Sequence, residues 1–239
     1  RGVKNLCPEN TLNSINKAFD LGLNFVEVDV KISKDKIPIL LHDDTLNRTT
    51  NGNGYVIDYE YNHIKKLDAG EHFYNKKNKI FVPKLIDVLK LCKKRKSNLN
   101  IELKPNIGCE KINASKIYDL TKNIDGMEIF YSSFDLDSFF EISKLLPHSN
   151  RSFLLDTFDH FSLDDLLNII QEQKANICGL NINIISNEII NKIKKYNLII
   201  TVYSDENIST SDAKELFDIG VDSIFIDDPR QLIKDLNFH

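Results

Sequence analysis

Short apolar segments rich in Val, Ile and Phe alternate with longer amphipathic segments along most of this chain. The apolar segments have the length and composition of buried strands, and the segments between them have the i, i+3, i+4 spacing of helices. Strands that alternate with helices form parallel sheets covered by those helices. At 239 residues, the alternation favours a closed α/β barrel of the TIM type over an open sheet. The strand candidates are 25–32, 37–42, 99–104, 127–132, 152–155, 177–182, 198–204 and 223–227.

Several helical segments begin at residue types that cap helices, because their side-chain oxygens accept hydrogen bonds from free N–H groups of the first turn. The sequence has no internal repeat and no linker rich in Pro, Gly or Ser, so it predicts a single domain over residues 1–239. The capping candidates are Asn10-Thr11, Asp135, Ser162, Ser186 and Ser209.

Composition excludes several classes of function. With 31 basic and 35 acidic residues the net charge is −4, which argues against a general polyanion binder such as a nucleic-acid-binding protein. We find no apolar run long enough to cross a membrane and no charged-then-apolar leader. The four cysteines are scattered without a CxxC pair, as expected in a reducing compartment. We therefore expect a cytoplasmic protein without a transmembrane segment.

The connection between the first two strand candidates is too short for a parallel crossover. Only Ser33-Lys34-Asp35-Lys36 separates them, so the sequence predicts an antiparallel hairpin. This hairpin brings His42 roughly opposite Glu27 or Asp29, and a register whose paired positions sum to an odd number places all three side chains on one face. The following residues, 44–82, have turn signals and little periodicity, and we predict that they form an insertion in the barrel.

Acidic side chains recur inside two strand candidates. Glu27 and Asp29 are two residues apart and share a strand face, and Glu102 lies within another apolar run. Like charges in a core need a neutralising partner. Three carboxylates without a Cys or His cluster suit Mg²⁺ or Ca²⁺ better than zinc. The alternative is a solvated acidic strand face, with Lys104 as an ion-pair partner of Glu102.

His42 ends a buried strand candidate near these acids, which makes it the best general acid/base candidate among the six histidines. Near the start of the chain, Glu9 could complement the dipole of the first helix. The remaining histidines lie in loops or near helix ends, and we expect them to be structural or exposed. They are His63, His72, His148, His160 and His239.

Short motifs follow one another along nearly the whole chain. They are Arg1-Gly2, Pro8-Glu9-Asn10-Thr11, Glu27-Val28-Asp29, Leu41-His42-Asp43, Thr45-Leu46-Asn47-Arg48-Thr49-Thr50, Val82-Pro83-Lys84-Leu85, Glu102-Leu103-Lys104-Pro105, Ser132-Ser133-Phe134, Gly220-Val221-Asp222 and Asp227-Asp228-Pro229. Each motif alone is weakly specific. In this order, however, they resemble the glycerophosphodiester phosphodiesterase family.

The resemblance implies a TIM-type (β/α)8 barrel of the phospholipase C-like phosphodiesterase kind, with its site at the carboxyl ends of the strands and residues 44–82 as a small inserted subdomain. It implies metal-dependent hydrolysis of small glycerophosphodiesters to sn-glycerol 3-phosphate and an alcohol, a reaction of lipid and glycerol metabolism. The implied residues are Glu27, Asp29 and Glu102 as ligands of Mg²⁺ or Ca²⁺, His42 as one of two catalytic histidines, Arg1 and Lys104 as catalytic phosphate contacts, and Tyr203 as an apolar wall for the glycerol.

The sequence departs from the family pattern in a few places. The family's first catalytic histidine would immediately precede Arg1, so we expect a truncated sequence whose first barrel strand is missing too. Asp44 stands where proline is usual, and Tyr203 stands where tryptophan is common. Two alternatives remain open. One is a pseudoenzyme that binds phosphodiesters or a partner protein without turnover. The other is a phospholipase acting on intact lipid, for which Phe73, Tyr74 and Phe81 are lipid-facing candidates, although they could equally form a small core of their own.

Overall fold

All eight strand candidates form strands of one curled, mostly parallel sheet in the computed structural model, which describes residues 1–236. The end of the expected domain 1–239, including His239, lies outside the described residues. The strand order is β2-β1-β3-β4-β5-β6-β7-β8, and only β2 is antiparallel to its neighbour. The strands are β1 (Phe25–Ile32), β2 (Pro38–Leu40), β3 (Asn98–Leu103), β4 (Ile129–Ser133), β5 (Asn150–Leu155), β6 (Ile177–Asn181), β7 (Ile199–Tyr203) and β8 (Ser223–Ile224).

Ten helices accompany the sheet in this part of the chain, and the capping predictions are confirmed. The side chains of Thr11, Asp135, Ser162, Ser186 and Ser209 each accept a backbone N–H at a helix start. Within residues 1–236, no helix combines the length and hydropathy needed to cross a membrane. The helices are α1 (Leu12–Asp20), α2 (Tyr61–Ile64), α3 (Glu71–Tyr74), α4 (Leu85–Arg95), α5 (Glu110–Thr121), α6 (Leu136–Leu145), α7 (Leu163–Glu172), α8 (Asn187–Lys194), α9 (Thr210–Ile219) and α10 (Arg230–Leu236).

Strand β1 separates the apolar core from the inner face of the sheet. Val26, Val28 and Val30 are buried in a cluster with residues of α1, α4 and α5. Because successive side chains of a strand point to opposite faces, Glu27 and Asp29 lie on the other, inner face. A second cluster packs β5, β6 and β7 against α7, α8 and α9. The helices thus cover the outer face, and the polar residues of β1 are left for the barrel interior.

The β1–β2 hairpin forms as predicted, but the odd-sum register is wrong. Val30 pairs with Leu40, so the paired positions sum to an even number. Strand β2 ends at Leu40. The backbone N–H of Leu41 still donates to the Asp29 carbonyl oxygen (3.2 Å). His42 therefore reaches the inner side of the sheet from a non-strand segment after β2, and strand alternation does not determine its direction.

Residues 44–82, here called the 44–82 segment, add no strand to the sheet and pack around their own apolar cluster, which includes Leu46, Val56 and Ile64. One buried carboxylate organises this segment. Asp68 accepts hydrogen bonds from four backbone N–H groups at 2.6–3.3 Å, and the donors are Gly70, Asn78, Lys79 and Ile80. Phe73, Tyr74 and Phe81 are exposed and lie outside the apolar cluster, so they do not form a small core of their own.

Arg151 at the start of β5 is fully buried among backbone carbonyl groups. Its guanidinium donates to the carbonyl oxygens of Leu146, Ser149, Gln173 and Lys174. Leu146 and Gln173 are the C-terminal caps of α6 and α7. A single side chain therefore satisfies acceptors at the ends of two successive helices, where carbonyl groups lack partners inside the helix.

Candidate active site

Three carboxylates converge on the inner face of the sheet. Glu27 and Asp29 project from β1, and Glu102 projects from β3, whose register pairs it directly with Asp29. One carboxylate oxygen from each residue lies within 4.8 Å of the other two. Asp29 and Glu102 are buried, and Glu27 is half-buried. The sequence analysis expected these three residues to meet, and the parallel pairing of β1 with β3 brings them together.

The electrostatics of this cluster fit a divalent cation. Burial and the nearby Asp29 carboxylate raise the pKa of Glu102 to about 8, and burial also raises the pKa of Glu27. Burial would raise the pKa of Asp29 too, but the Arg1 guanidinium holds it below its usual range. Glu27 Oε1 and Asp29 Oδ1 are buried without a hydrogen-bond partner among the described residues. Three hard oxygen donors with unused lone pairs are the ligands that Mg²⁺ and Ca²⁺ prefer.

Two cations border the carboxylates. Arg1 Nε lies 3.0 Å from Asp29 Oδ2, and Lys104 Nζ lies 2.8 Å from Glu102 Oε1. Burial alone would lower the pKa of both cations, but the neighbouring carboxylates hold each above its ordinary value. Lys104 is therefore the ion-pair partner of Glu102. Both cations also line the same cavity, in the position where an anionic group would meet them.

His42 lines this cavity as well. Its Nδ1 lies 2.7 Å from Asp43 Oδ1. An imidazole that donates from Nδ1 to a carboxylate keeps Nε2 available for proton transfer. Burial is the largest cause of a lowered pKa at His42, which favours the neutral ring. The four other described histidines are exposed and do not line the cavity, as the sequence predicted. They are His63, His72, His148 and His160.

The cavity has a volume of about 500 Å³, and its lining includes a pair of aromatic rings. The rings of Phe134 and Tyr203 meet edge to face with centroids 5.4 Å apart. Lys104 Nζ lies 5.0 Å from the centroid of Phe134. The Tyr203 hydroxyl donates to Asp156 Oδ1 (3.2 Å), and burial raises the pKa of Tyr203. Tyr203 thus lines the cavity, and its role as a wall for the glycerol stays a prediction, whereas Phe134 and Asp156 had no assigned role.

A network of ion pairs that the sequence did not predict adjoins His42 and Arg1. Arg48 binds the carboxylates of both Asp43 and Glu9 through paired hydrogen bonds of 2.7–2.9 Å. Glu9 Oε1 also lies 3.5 Å from Arg1 Nη1. Glu9 was expected to complement the dipole of α1, but its partners are arginines. The sequence signalled this pairing only in that Glu9 and Arg48 each belong to one of the family-like motifs, Pro8-Glu9-Asn10-Thr11 and Thr45-Leu46-Asn47-Arg48-Thr49-Thr50.

Asn10 is a further residue that the sequence analysis placed only at a helix cap. Its Nδ2 donates to Asp29 Oδ2 (2.8 Å), and its Oδ1 accepts the backbone N–H of Asp29 (3.1 Å). The Asn10 amide therefore fixes both the strand position and the carboxylate of Asp29. Thr11, the next residue, caps α1, so the start of this helix and the position of Asp29 depend on one short segment.

Comparisons by sequence and by structure both match this chain to phosphodiesterases. The profile described as the Glycerophosphoryl diester phosphodiesterase family matches residues 1–231. A glycerophosphodiester phosphodiesterase from Caldanaerobacter subterraneus subsp. tengcongensis is 30% identical, and the alignment covers 98% of this chain and 94% of the relative. One from Bacillus altitudinis is 32% identical, with 98% and 95% covered.

Solved structures share the fold. A phosphodiesterase from Oleispira antarctica, in complex with the product sn-glycerol-3-phosphate, superposes with a TM-score of 0.91 at 25% identity, covering 99% of this chain and 94% of that one. A glycerophosphodiester phosphodiesterase from Thermotoga maritima gives a TM-score of 0.76 at 20% identity, covering 98% and 95%, and supports the fold alone. The predicted TIM-type α/β architecture is confirmed.

Proposed function

The chain belongs to the glycerophosphoryl diester phosphodiesterase family and is an enzyme of that class, and from this premise we propose that it uses a divalent metal ion to hydrolyse small glycerophosphodiesters to sn-glycerol 3-phosphate and an alcohol. One observation carries the proposal. The oxygens of Glu27, Asp29 and Glu102 lie within 4.8 Å of one another, in a cavity that Arg1 and Lys104 also line.

Glu27, Asp29 and Glu102 would hold the metal, which we propose to be Mg²⁺ or Ca²⁺. When bound, such an ion supplies positive charge to the phosphate oxygens as negative charge develops on them. Arg1 and Lys104 have the same effect from the protein side. A phosphodiester is an anion that repels nucleophiles, and fixed cations in a water-poor cavity lower that barrier more than cations in bulk water do.

His42 is the proposed general acid/base. With Nδ1 hydrogen-bonded to Asp43 and its pKa below the ordinary value, the ring is neutral near pH 7 and can accept a proton at Nε2. The nucleophile that loses this proton is either water or the 2-hydroxyl of the substrate's own glycerol. A positioned acid or base of this kind contributes roughly 10²–10⁴-fold to the rate.

Tyr203 and Phe134 provide the surface on which the carbon atoms of the glycerol would pack. They form an edge-to-face pair in the lining of the cavity. We also propose that residues 1–239 form one catalytic domain with 44–82 as an insertion, and that the enzyme works in the cytoplasm, which the four free cysteines support.

The test is an assay of glycerol 3-phosphate release from glycerophosphocholine and glycerophosphoethanolamine, with Mg²⁺ or Ca²⁺ and after removal of metal by EDTA. We expect activity that EDTA abolishes and that added metal restores. His42→Ala should lower kcat by roughly 10²–10⁴-fold, whereas His148→Ala, at an exposed histidine away from the cavity, should not. Release that persists in EDTA, or an active His42→Ala enzyme, would contradict the proposed mechanism.

A second candidate activity is hydrolysis of lipids that keep their acyl chains. It is favoured by the exposure of Phe73, Tyr74 and Phe81, since exposed aromatic side chains are typical of surfaces that meet lipid. The two activities separate if lysophosphatidylcholine is offered beside glycerophosphocholine and the release of choline, which both substrates yield, is measured. A Phe73→Ser/Phe81→Ser variant should lose only the activity on the acylated substrate.

A further inference from the structure

A network in the wall of the catalytic cavity links the proposed acid/base to the proposed phosphate contact through one arginine. Arg48 Nε and Nη2 donate to the two carboxylate oxygens of Asp43, each at 2.8 Å. Nη1 and Nη2 donate to the two oxygens of Glu9 at 2.7 and 2.9 Å. The single planar guanidinium of Arg48 therefore binds two carboxylates, one from the loop before α1 and one from the segment after β2.

One oxygen of each carboxylate contacts both Arg48 and a group that faces the substrate. Asp43 Oδ1, which accepts from Arg48, also lies 2.7 Å from His42 Nδ1. Glu9 Oε1 lies 3.5 Å from Arg1 Nη1, and Arg1 in turn pairs with Asp29. Contacts of 3.5 Å or less therefore connect the His42 imidazole to the Arg1 guanidinium.

Arg48 itself has little left with which to hold a phosphate. A guanidinium has five N–H donors in a fixed plane. Four hydrogen bonds to Asp43 and Glu9 use its Nε and both terminal nitrogens. These hydrogen bonds raise the pKa of Arg48 and lower that of Asp43, so both groups keep their charges. Paired planar contacts of this type fix orientation as well as distance, which a lysine cannot do.

Arg48 also balances charge. Six carboxylates line the cavity, and Asp29 and Glu9 lie beside it, so a substrate anion could not approach without compensation. The proposed metal, together with Arg1 and Lys104, would offset Glu27, Asp29 and Glu102. Arg48 contributes one positive charge against Asp43 and Glu9 from the wall of the cavity.

Building on the proposed function, we propose that Arg48 is a positioning residue, which holds Asp43 against Nδ1 of His42 and Glu9 beside Arg1. His42 then presents Nε2 to the substrate, and Arg1 keeps the orientation in which it meets the phosphate. Arg48 acts through these neighbours and does not contact the substrate.

A double-mutant cycle tests this role. Arg48→Met and Asp43→Asn should each lower kcat for glycerophosphocholine by roughly 10–100-fold, as losses of outer-shell partners do. If Arg48 acts on His42 through Asp43, the double variant should lose little more than Asp43→Asn alone. Because Arg48 also holds Glu9, the same cycle is run with Glu9→Gln. Losses that multiply in both cycles, or a rise in KM with an unchanged kcat, would mean that Arg48 binds the substrate itself and would overturn the proposal.

Two further variants keep the test decisive. Arg48→Lys retains the charge but not the paired geometry, so it should recover only part of the loss and replaces Arg48→Met if that variant fails to fold. The matched control is Arg95→Met, which removes an arginine paired with Asp20 on the outer helices (2.7 Å) and should leave kcat unchanged. Full rescue by Arg48→Lys would show that charge alone suffices and would refute the positioning role.

A spectroscopic readout separates this inference from the proposed function. In protein labelled with ¹⁵N-histidine, neutral His42 should show a protonated Nδ1 and a free Nε2 in the wild type, and a mixture of tautomers in Arg48→Met. A wild type without activity but with this tautomer change would defeat the proposed function and leave the positioning role standing. An unchanged tautomer in Arg48→Met would defeat the positioning role even in an active enzyme.

Discussion

Metal binding should release a proton from the carboxylate cluster at neutral pH. Without a metal, Glu102 is buried next to Asp29, and its pKa is raised from 4.5 to about 8. At pH 7 such a group carries about 0.9 of a proton. A divalent cation binds the ionised carboxylate, so binding must displace that proton. The experiment titrates the metal-free enzyme with Mg²⁺ or Ca²⁺ at several pH values and measures the metal affinity at each.

The size of the pH effect on metal affinity follows because the proton and the metal compete for the same carboxylate. For a ligand with a pKa of about 8, apparent affinity should fall about 50-fold between pH 8 and pH 6 and change little above pH 9. The pKa of Asp29 is lowered, so Asp29 adds nothing in this range, whereas the raised pKa of Glu27 adds to the release and makes these numbers lower bounds. Because the folded-state pKa of Glu102 lies above its ordinary value, the metal-free protein should also lose free energy of unfolding as the pH rises from about 4.5 to about 8.

Calorimetric titration at pH 7 in two buffers of different ionisation enthalpy measures the number of protons released. We expect about 0.9 for the wild type and a much smaller number for Glu102→Gln, which cannot titrate. Glu172→Gln, at the exposed end of α7, is the matched control and should behave as the wild type. A pH-independent affinity between pH 6 and pH 8, with no proton release, would refute the reasoning about this cluster.

Two further predictions concern stability. Arg151→Met should lower the free energy of unfolding by about 2–4 kcal/mol, because it leaves buried carbonyl groups at the ends of α6 and α7 without donors; chemical denaturation measures this loss, and a change below about 0.5 kcal/mol would contradict it. Asp68→Ala should speed amide hydrogen exchange within the 44–82 segment much more than in the sheet, because four backbone N–H groups lose their acceptor; a uniform increase along the chain would contradict a local role.

The elements that depend on local pattern could be predicted from the sequence. Strand β1 has the predicted bounds, and Asp135 and Ser162 cap the helices that they precede. The meeting of Glu27 with Glu102 could be predicted as well. Strand alternation turns acidic side chains of neighbouring parallel strands toward one interior, and like charges in a core imply a shared partner.

The contacts that depend on tertiary placement could not be predicted. Glu9 and Arg48 are 39 positions apart, and neither residue lies in a strand or helix that fixes its direction. Their pairing requires the loop before α1 to meet the start of the 44–82 segment. The sequence placed His42 on the inner face for the wrong reason. The observed hairpin register, if continued, would point His42 to the outer face, but β2 ends at Leu40, before His42.

The β1–β2 hairpin has a consequence for biosynthesis. Glu27, Asp29 and His42 leave the ribosome together, and a tight turn between their strands closes at little entropic cost. Glu102 emerges much later and joins only when β3 pairs with β1. The nascent chain therefore holds Glu27, Asp29 and His42 before Glu102, the third proposed metal ligand, exists. Substitutions that weaken the turn should slow maturation of the enzyme, whereas changes at Glu102 should impair only the finished protein.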